Sequence, residues 1–258
     1  MTLHRPRKRF GQNFLIDQNV IDKIIAVINP QEDQNIVEIG PGLGALTTRL
    51  LPLLKRLQVV ELDRDLIPKL RTECEGLGDL VIYQADALQF DFDDLLQKDQ
   101  KLRIVGNLPY NISTPLLFRL LDYATKIKDM HFMLQLEVAN RMGAEVGTKD
   151  YGRMSIMLQY YCQVKKLFLV SSQSFEPAPK VNSMFISLVP YEKPPYPVKN
   201  IQKFSEVLRL SFSQRRKIIR NNLKDNISAA DLEKAGIDPG LRPEQIKLKQ
   251  YVDLVNGC

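Results

Sequence analysis

Along most of the chain, short apolar runs typical of strands alternate with stretches in which apolar residues have helical spacing. Short apolar or β-branched runs predict seven strands, at residues 36–39, 58–62, 80–84, 102–105, 130–136, 166–171 and 183–189. Helical spacing of apolar residues fills the gaps between them, at 45–54, 66–75, 114–123, 138–146 and 154–161. Another apolar helical stripe, at 20–28, precedes the first strand and ends before Pro30. Alternation of this kind predicts a mostly parallel sheet covered by helices on both faces.

The pattern changes near Pro190. Residues 190–197 contain four prolines, which favour a linker over a helix or a central strand. Only helical signals follow, at 201–212, 216–226, 229–235 and 245–255. The sequence therefore predicts a large α/β domain over 1–190, in which 1–11 form a basic arm, and a small all-α domain over 198–258.

Composition narrows the class of protein. Apolar residues make up 44% of the 258 residues and charged residues 26%, which is typical of a globular protein. Three separated cysteines and two histidines give no zinc-ligand spacing, so we expect reduced thiols and no metal. No apolar run reaches the roughly 18–20 residues that span a bilayer. These features predict a cytoplasmic protein that does not bind membranes.

The net charge of +6 is concentrated at the two ends of the chain. Arg5 and Lys8 belong to a basic cluster without acids, and Arg215, Arg216 and Arg220 lie on a predicted helix with one basic and one apolar face. Two basic ends suit a polyanion such as RNA, and we assign these five residues to RNA binding. The alternative is ordinary solvated surface charge.

A glycine-rich turn follows the first predicted strand. Gly40-Pro41-Gly42-Leu43-Gly44 allows a ligand to approach the backbone closely. Its spacing differs from the dinucleotide pattern, and Pro41 lacks an N–H that a pyrophosphate would use, which disfavours a nicotinamide oxidoreductase. The turn favours a ligand without phosphates, although a lone turn of this kind is often only a tight connection.

Two acids end the next two predicted strands. Glu61 stands where an acid commonly accepts hydrogen bonds from both ribose hydroxyls, and Asp86 stands where a carboxylate can accept an adenine amino group. Each acid alone could equally be a helix cap. Because ligands of open α/β sheets bind at the carboxyl ends of the strands, these acids and the glycine turn predict one nucleoside site.

The fourth strand in this series ends in Asn107-Leu108-Pro109-Tyr110. An exocyclic adenine amine is a poor nucleophile because its lone pair is delocalised into the ring. The Asn107 side-chain oxygen and the Leu108 carbonyl could accept both N–H groups and direct that lone pair at a methyl donor. Tyr110 offers a face on which an unpaired base can stack. The alternative for this tetrapeptide is a simple Asn-Pro turn.

With these motifs, the sequence resembles the ribosomal RNA adenine N6,N6-dimethyltransferases of the bacterial small-subunit type. The resemblance covers nearly the whole chain. It rests on the glycine turn, Glu61, Asp86 and the Asn107 tetrapeptide together with further segments at 9–15, 175–183, 213–217, 220–223 and 241–245. Met184 departs from the family, which more often has a smaller residue there; we expect that it affects packing.

The resemblance implies a class I S-adenosylmethionine-dependent methyltransferase, with a Rossmann-like, mostly parallel seven-stranded sheet and a small C-terminal all-α domain. It implies that the cofactor S-adenosylmethionine, which becomes S-adenosylhomocysteine, contacts Asn13, Leu15, Gly40, Glu61, Asp86 and Asn107. It also implies that Asn107, Leu108, Tyr110 and Phe175 form the catalytic pocket, in which Phe175 faces Tyr110 across the target adenine.

The implied substrate is a pair of adjacent adenosines in the hairpin loop near the 3′ end of 16S rRNA, methylated by a monomer that contributes to small-subunit biogenesis. The nearest rival is the related large-subunit methylase that confers macrolide resistance, which the basic segment at 215–217 and the segment at 241–245 disfavour. A DNA adenine methylase should carry a duplex-reading domain, which we do not find. A role chiefly as an assembly checkpoint remains open.

Overall fold

A computed structural model of the chain describes residues 12–97 and 100–257. These residues divide into two compact units. One takes the described part of Met1–Ala139 together with Lys165–Pro190, and the other takes Asn140–Val164 with the described part of Tyr191–Cys258. The second unit thus includes 140–164, which the sequence interpretation assigned to the first domain. The rings of Tyr160 and Phe204, 5.1 Å apart, are one reason for this grouping.

Nine strands form two sheets within the described residues. They are β1 (Phe14–Leu15), β2 (Ile36–Ile39), β3 (Arg56–Glu61), β4 (Asp79–Gln84), β5 (Leu102–Asn107), β6 (Ile127–Gln135), β7 (Cys162–Val170), β8 (Phe175–Glu176) and β9 (Ser183–Pro190). The seven-stranded sheet has the order β4-β3-β2-β5-β6-β9-β7. Its first five strands are parallel, and β9 is antiparallel to β6. The predicted mostly parallel seven-stranded sheet is confirmed.

Ten α-helices accompany the strands within the described residues. They are α1 (Gln18–Ile28), α2 (Thr47–Leu50), α3 (Ile67–Glu73), α4 (Ser113–Leu121), α5 (Leu136–Met142), α6 (Arg153–Tyr161), α7 (Ile201–Ser211), α8 (Ile219–Leu223), α9 (Ala229–Lys234) and α10 (Leu248–Gly257). A 3₁₀ turn at Leu51–Leu53 continues α2, because Pro52 lacks the N–H that another helical turn needs. None of the helices in the described ranges is long and apolar enough to cross a membrane.

Local sequence explains both ends of α1. The Asp17 carboxylate accepts hydrogen bonds from the N–H groups of Asn19 and Val20 and so caps the first turn. Asn29 ends the helix in the left-handed conformation, with φ of 45°. The buried residues Ile21, Ile24 and Ile28 repeat at helical spacing and pack into the core of the first unit.

The strand order creates the crevice that holds the site. The chain adds β3 and β4 on one side of β2 and then returns to place β5 on its other side. The carboxyl ends of β2 and β5 therefore flank the switch point at which open α/β sheets bind ligands. Gly106 allows this pairing, since a Cβ atom there would lie 2.5 Å from the carbonyl oxygen of Ile39.

The C-terminal unit has its own apolar core, in which α8 and α10 pack against α7, and α10 packs against α9. Phe204, Ile219, Leu232 and Tyr251 are fully buried in it. The helix predicted at 216–226 is wrong in extent. It spans only Ile219–Leu223, and 212–217 form turns, because Asn222 donates to the carbonyl oxygens of Ser211 and Gln214 and holds the chain in a bend.

Candidate active site

One cavity opens at the carboxyl ends of the parallel strands, entirely within the first unit. All six residues predicted to contact the cofactor line it: Asn13, Leu15, Gly40, Glu61, Asp86 and Asn107. Leu108 and Tyr110, predicted to hold the target base, line the same cavity. The structure therefore brings residues from five separate segments of the chain to one place, and their individual contacts stay a prediction.

The glycine turn lines the cavity. Gly40 and Gly42 have φ of 67° and 60°, a left-handed conformation that side chains disfavour. The Gly40 N–H donates to the carbonyl oxygen of Val60 at 2.9 Å, which ties the turn to β3. A Cβ atom at Gly42 would lie 3.2 Å from the ring of Phe14. Glycine is thus needed both for the backbone shape and for the close approach of Phe14.

Glu61 is the last residue of β3 and only 5% exposed. Its two carboxylate oxygens accept hydrogen bonds from the N–H groups of Asp63, at 2.7 Å, and Gly42, at 3.1 Å. Burial raises the pKa of Glu61 above its usual range, and these two hydrogen bonds oppose that rise. Each carboxylate oxygen can accept more than one hydrogen bond, so ribose hydroxyls can still bind here.

Asp86 follows β4 and forms a tight turn. Its Oδ1 atom accepts a hydrogen bond from the N–H of Leu88 at 2.9 Å. The turn fixes the carboxylate at the wall of the cavity, where its remaining lone pairs can accept an amino group. The two acids thus stand at neighbouring strand ends, since β3 and β4 pair in register from Arg56 to Glu61.

The segment Gln12–Leu15 also lines the cavity. The Gln12 side chain donates to the Asp63 carboxylate at 3.0 Å, and β1 pairs with β8. Ile16 continues this contact, because its N–H donates to the carbonyl oxygen of Ser174 at 2.9 Å. Leu15 is 5% exposed and belongs to the hydrophobic core. This short strand was not predicted from the sequence.

The Asn107 tetrapeptide lies beside the glycine turn, because a Cβ atom at Gly40 would lie 3.9 Å from the Cδ atom of Pro109. The Asn107 Nδ2 atom donates to the backbone carbonyl oxygen of Asn13 at 2.9 Å, and the N–H of Leu108 donates to Met133 at 3.2 Å. The Tyr110 hydroxyl hydrogen-bonds Ser183 at 3.0 Å, and burial raises the pKa of Tyr110. These bonds hold the predicted base-binding groups in fixed orientations.

Phe175 lies apart from the other predicted pocket residues. It is 3% exposed, pairs with Leu15 between β8 and β1, and packs into the hydrophobic core. It is not among the residues that line the cavity. In this structure its ring is buried against protein, and its proposed stacking on the target adenine stays a prediction.

Glu38 lines the cavity and was not singled out from the sequence. It lies on β2, is 2% exposed and accepts a hydrogen bond from the Thr47 hydroxyl at 2.6 Å. Burial raises its pKa to about 7; the Thr47 hydrogen bond opposes this rise and the nearby Glu61 adds to it. An acid within a buried strand was the available signal, because such a residue needs a partner.

The predicted RNA-binding residues fall into three groups. Arg5 and Lys8 lie outside the described residues. Arg215 is exposed, but its guanidinium donates to the carbonyl oxygens of Lys149 and, at 3.1 Å, Tyr151. It therefore ties the turn at 212–217 to a neighbouring loop of the same unit. Arg216 and Arg220 are exposed on this turn and on α8.

A further basic residue joins this surface. The N–H of Ile219 donates to the carbonyl oxygen of Leu241 at 2.7 Å, and that of Arg220 donates to Pro239 at 3.3 Å. These bonds bring the segment at 239–242 beside α8, and Arg242 in this segment is exposed. The sequence interpretation missed Arg242, because residues this far apart in sequence are joined only by the fold.

Comparison with known proteins decides the family. The model of the ribosomal RNA adenine dimethylase family matches residues 3–258. The chain belongs to this family. The resemblance inferred from the motifs is thus confirmed, as are the enzyme class and the dependence on S-adenosylmethionine. No group of His, Cys, Asp and Glu side chains suited to a metal ion is found within 12–97 and 100–257.

Individual family relatives cover almost the full chain. Ribosomal RNA small subunit methyltransferase A of Marinomonas sp. strain MWYL1 is 50% identical over 253 residues, 98% of this chain and 95% of the relative. The protein of the same name from Pseudomonas aeruginosa is 51% identical, over 98% of this chain and 94% of its own.

Two solved structures resemble the fold closely. A dimethyladenosine transferase from Plasmodium falciparum has a TM-score of 0.77 at 28% identity, over 93% of this chain and 95% of its own. The 23S rRNA methyltransferase ErmE has a TM-score of 0.71 at 25% identity, over 95% and 99%. The structural similarity to these two proteins therefore covers residues of both units of the chain.

Proposed function

We propose that this protein dimethylates N6 of two adjacent adenosines in the hairpin loop near the 3′ end of small-subunit rRNA, and so contributes to small-subunit biogenesis. Relatives at about 50% identity are named small-subunit methyltransferases, whereas the 23S enzyme is 25% identical. This difference favours the small-subunit substrate over the large-subunit one. We also propose that the protein acts as a cytoplasmic monomer and does not methylate DNA.

The cavity suits a cationic nucleoside cofactor. Four carboxyl groups line it, those of Glu38, Glu61, Asp63 and Asp86. The ionised carboxylates among them favour a positively charged ligand over a neutral one of the same shape. Glu38 contributes less, because its pKa of about 7 leaves it partly protonated at neutral pH. When bound, S-adenosylmethionine supplies an electrophilic methyl group on a positively charged sulfur. Glu61 would hold its ribose, and Asp86 its adenine amino group.

Asn107 and Leu108 would prepare the target amine. Oxygen acceptors on the Asn107 side chain and the Leu108 backbone would bind the two N–H groups of N6. Such bonds strengthen as the nitrogen becomes pyramidal, so they stabilise the transition state more than the bound substrate. No strong base is required, because the amine becomes positively charged on transfer and then loses a proton readily. For the second methyl group the amine has one N–H left, so only one of the two acceptors can bind it.

A single observation carries this proposal. The Asn107 side chain, from the tetrapeptide typical of amine methylation, lines the same cavity as Glu61 and Asp86, with its Nδ2 atom bound to Asn13. Residues predicted for the cofactor site and, apart from Phe175, residues predicted for the target site therefore line one cavity, which supports the proposal. Methyl transfer from a sulfonium to a nitrogen requires that proximity.

The test is labelled methyl transfer to purified, unmethylated small subunits, with mapping of the modified nucleotides. We expect methyl groups on two adjacent adenosines and not on large-subunit RNA. In single-turnover assays, Asn107→Ala should lower the transfer rate by roughly 10²–10³-fold, as removal of one oriented group at a reacting centre does. The exposed Asn226→Ala is the matched control. A near wild-type rate for Asn107→Ala would overturn the mechanism.

A further inference from the structure

An asparagine side chain can work as an acceptor at the reacting amine in only one of its two amide orientations. If the amide is rotated by half a turn, it presents N–H donors to a group that itself has only N–H donors to offer. Something in the protein must therefore select the orientation of Asn107. The described residues supply one group that does so: the backbone carbonyl oxygen of Asn13, 2.9 Å from Nδ2.

We propose that the backbone carbonyl of Asn13 is a positioning group for methyl transfer, because it fixes the Asn107 amide with Oδ1 directed at the target amine. This inference rests on the proposed function. A carbonyl oxygen accepts hydrogen bonds and cannot donate them, so the opposite orientation would bring two oxygens together. It would also leave a half-buried N–H group without its partner. The role belongs to the peptide bond of Asn13 and not to its side chain.

The Asn13 carbonyl can fill this role only if it is itself held in place. Gln12, on one side of it, is hydrogen-bonded to Asp63 at 3.0 Å. On the other side, Leu15 of β1 pairs with Phe175 of β8, and the N–H of Ile16 donates to the carbonyl oxygen of Ser174 at 2.9 Å. Anchors on both sides of Asn13 therefore prevent its carbonyl from following a rotated Asn107 amide.

The arrangement gives the N-terminal strand a second role. Asn13 lines the cavity in which the cofactor is proposed to bind, and its carbonyl also orients the residue that holds the substrate amine. A displacement of β1 would therefore disturb the target side of the site as well as the cofactor side. Asn107, which ends β5, is the link between the two sides.

The variant Asn107→Asp separates acceptor strength from orientation. A carboxylate is a stronger acceptor than an amide, so acceptor strength alone predicts a rate near that of the wild type. Our proposal predicts a loss of roughly 10²–10³-fold at about pH 8, because a carboxylate oxygen would face the Asn13 carbonyl without a proton between them. Partial burial and the facing carbonyl should raise the pKa of the introduced carboxyl above about 3.9.

Protonation should then rescue this variant. A protonated carboxyl can donate to the Asn13 carbonyl through its O–H and accept from the amine through its other oxygen. The rate of Asn107→Asp, divided by that of the wild type, should therefore rise at least about tenfold between about pH 8 and about pH 5. A flat ratio, or a variant fully active at about pH 8, would overturn the inference. Asn107→Ala tests the proposed function separately, since it removes the acceptor at every pH.

A measurement on the wild-type protein does not depend on folding of the variants. Scalar coupling across a hydrogen bond should connect the Asn107 side-chain nitrogen to the Asn13 carbonyl carbon in an NMR spectrum of the deuterated, cofactor-free protein. The buried Asn35, whose Nδ2 atom donates to the Leu95 carbonyl oxygen at 2.8 Å, is the positive control. A signal for Asn35 without one for Asn107 would contradict the proposed orientation even if the Asn107→Ala rate fell.

Discussion

The hydroxyl groups of Tyr110 and Ser183 lie 3.0 Å apart, so the turn after β5 is hydrogen-bonded to the first residue of β9. Ser183 is fully buried, and Tyr110 is half-buried at the wall of the cavity. A buried hydroxyl with a fixed position restricts the orientation of the phenol ring. Ser183 on β9 therefore fixes the orientation of the ring face that Tyr110 is proposed to offer to an adenine.

This contact predicts different losses for two substitutions of Tyr110. Tyr110→Phe keeps the stacking face and removes one hydrogen bond, so we expect it to cost about 0.5–1.5 kcal/mol of transition-state stabilisation. Tyr110→Ala removes the face as well and should cost about 1–3 kcal/mol more. Single-turnover rates measure both losses. Ser183→Ala is the control: it should match Tyr110→Phe, and the double variant should cost less than the sum of the two.

Phe175 calls for a different substitution, because its ring is buried in the core. Phe175→Ala would cost about 3–5 kcal/mol of stability and would obscure any effect on the substrate. Phe175→Leu keeps most of the apolar volume and should cost less than about 1.5 kcal/mol. If the ring reaches the target adenine in the complex, this variant should bind cofactor normally and transfer methyl groups more slowly. An unchanged rate would remove Phe175 from the proposed pocket.

The seven strands of the large sheet could be predicted because each is a short apolar run between turns. Ile36–Ile39, for example, is β-branched or apolar at three of four positions and fully buried. The two-residue strands β1 and β8 could not, because they have no periodicity of their own. They exist because Phe14 and Leu15 meet Glu176 and Phe175, which are far away in the sequence.

The site was predictable to the extent that its residues stand at strand ends. Gly40, Glu61, Asp86 and Asn107 each follow or end a predicted strand, and parallel strands bring such positions to one edge. Contacts between segments were not predictable. The binding of Arg215 to two carbonyl oxygens depends on a loop that packs beside it only after folding.

Glu61→Ala should weaken the binding of S-adenosylmethionine by about 1.5–3 kcal/mol, the range for hydrogen bonds to a charged group. Part of this loss is indirect, because Glu61 also holds the N–H of Gly42 and so shapes the glycine turn. Calorimetry on the folded variant measures the affinity. The exposed Glu75→Ala carries the same charge change and should bind as the wild type does. If Glu61→Ala binds S-adenosylmethionine as tightly as the wild type does, Glu61 does not hold the ribose.

Glu38 makes the stability of the protein depend on pH. Its pKa is raised by burial from 4.5 to about 7, so the folded state holds the proton more tightly than the unfolded chain does. The stabilisation is complete below about pH 4.5 and is lost as the pH rises to about 7. A shift of this size corresponds to about 3 kcal/mol.

Glu38→Gln should abolish that dependence, since the amide is neutral at every pH and can still accept from Thr47. We expect the variant to match the wild type near pH 4.5 and to be more stable by about 3 kcal/mol near pH 8. Urea unfolding at paired pH values measures the difference. A constant difference across this range would show that Glu38 does not titrate there.

The basic surface of the C-terminal unit gives the last prediction, because its arginines differ in what they already bind. Arg216→Gln and Arg220→Gln should each lower the salt dependence of RNA binding by about one slope unit, as expected for a lost phosphate contact. Arg215→Gln should lower the salt dependence less, because the Arg215 guanidinium already donates to the carbonyl oxygens of Lys149 and Tyr151. The loss of these hydrogen bonds should instead destabilise the unit by about 1 kcal/mol.

Arg209→Gln is the charge-matched control for this set. Arg209 is paired with Glu206 at 2.6 Å, so its substitution changes the net charge equally without removing an unpaired cation. Filter binding of the 3′ hairpin RNA over a series of salt concentrations gives each slope, and thermal unfolding gives each stability. Equal slopes for Arg216→Gln and Arg209→Gln would mean that the affinity for RNA depends only on the net charge of this unit. A larger slope change for Arg215→Gln than for Arg216→Gln would mean that Arg215 leaves its carbonyl partners to bind phosphate.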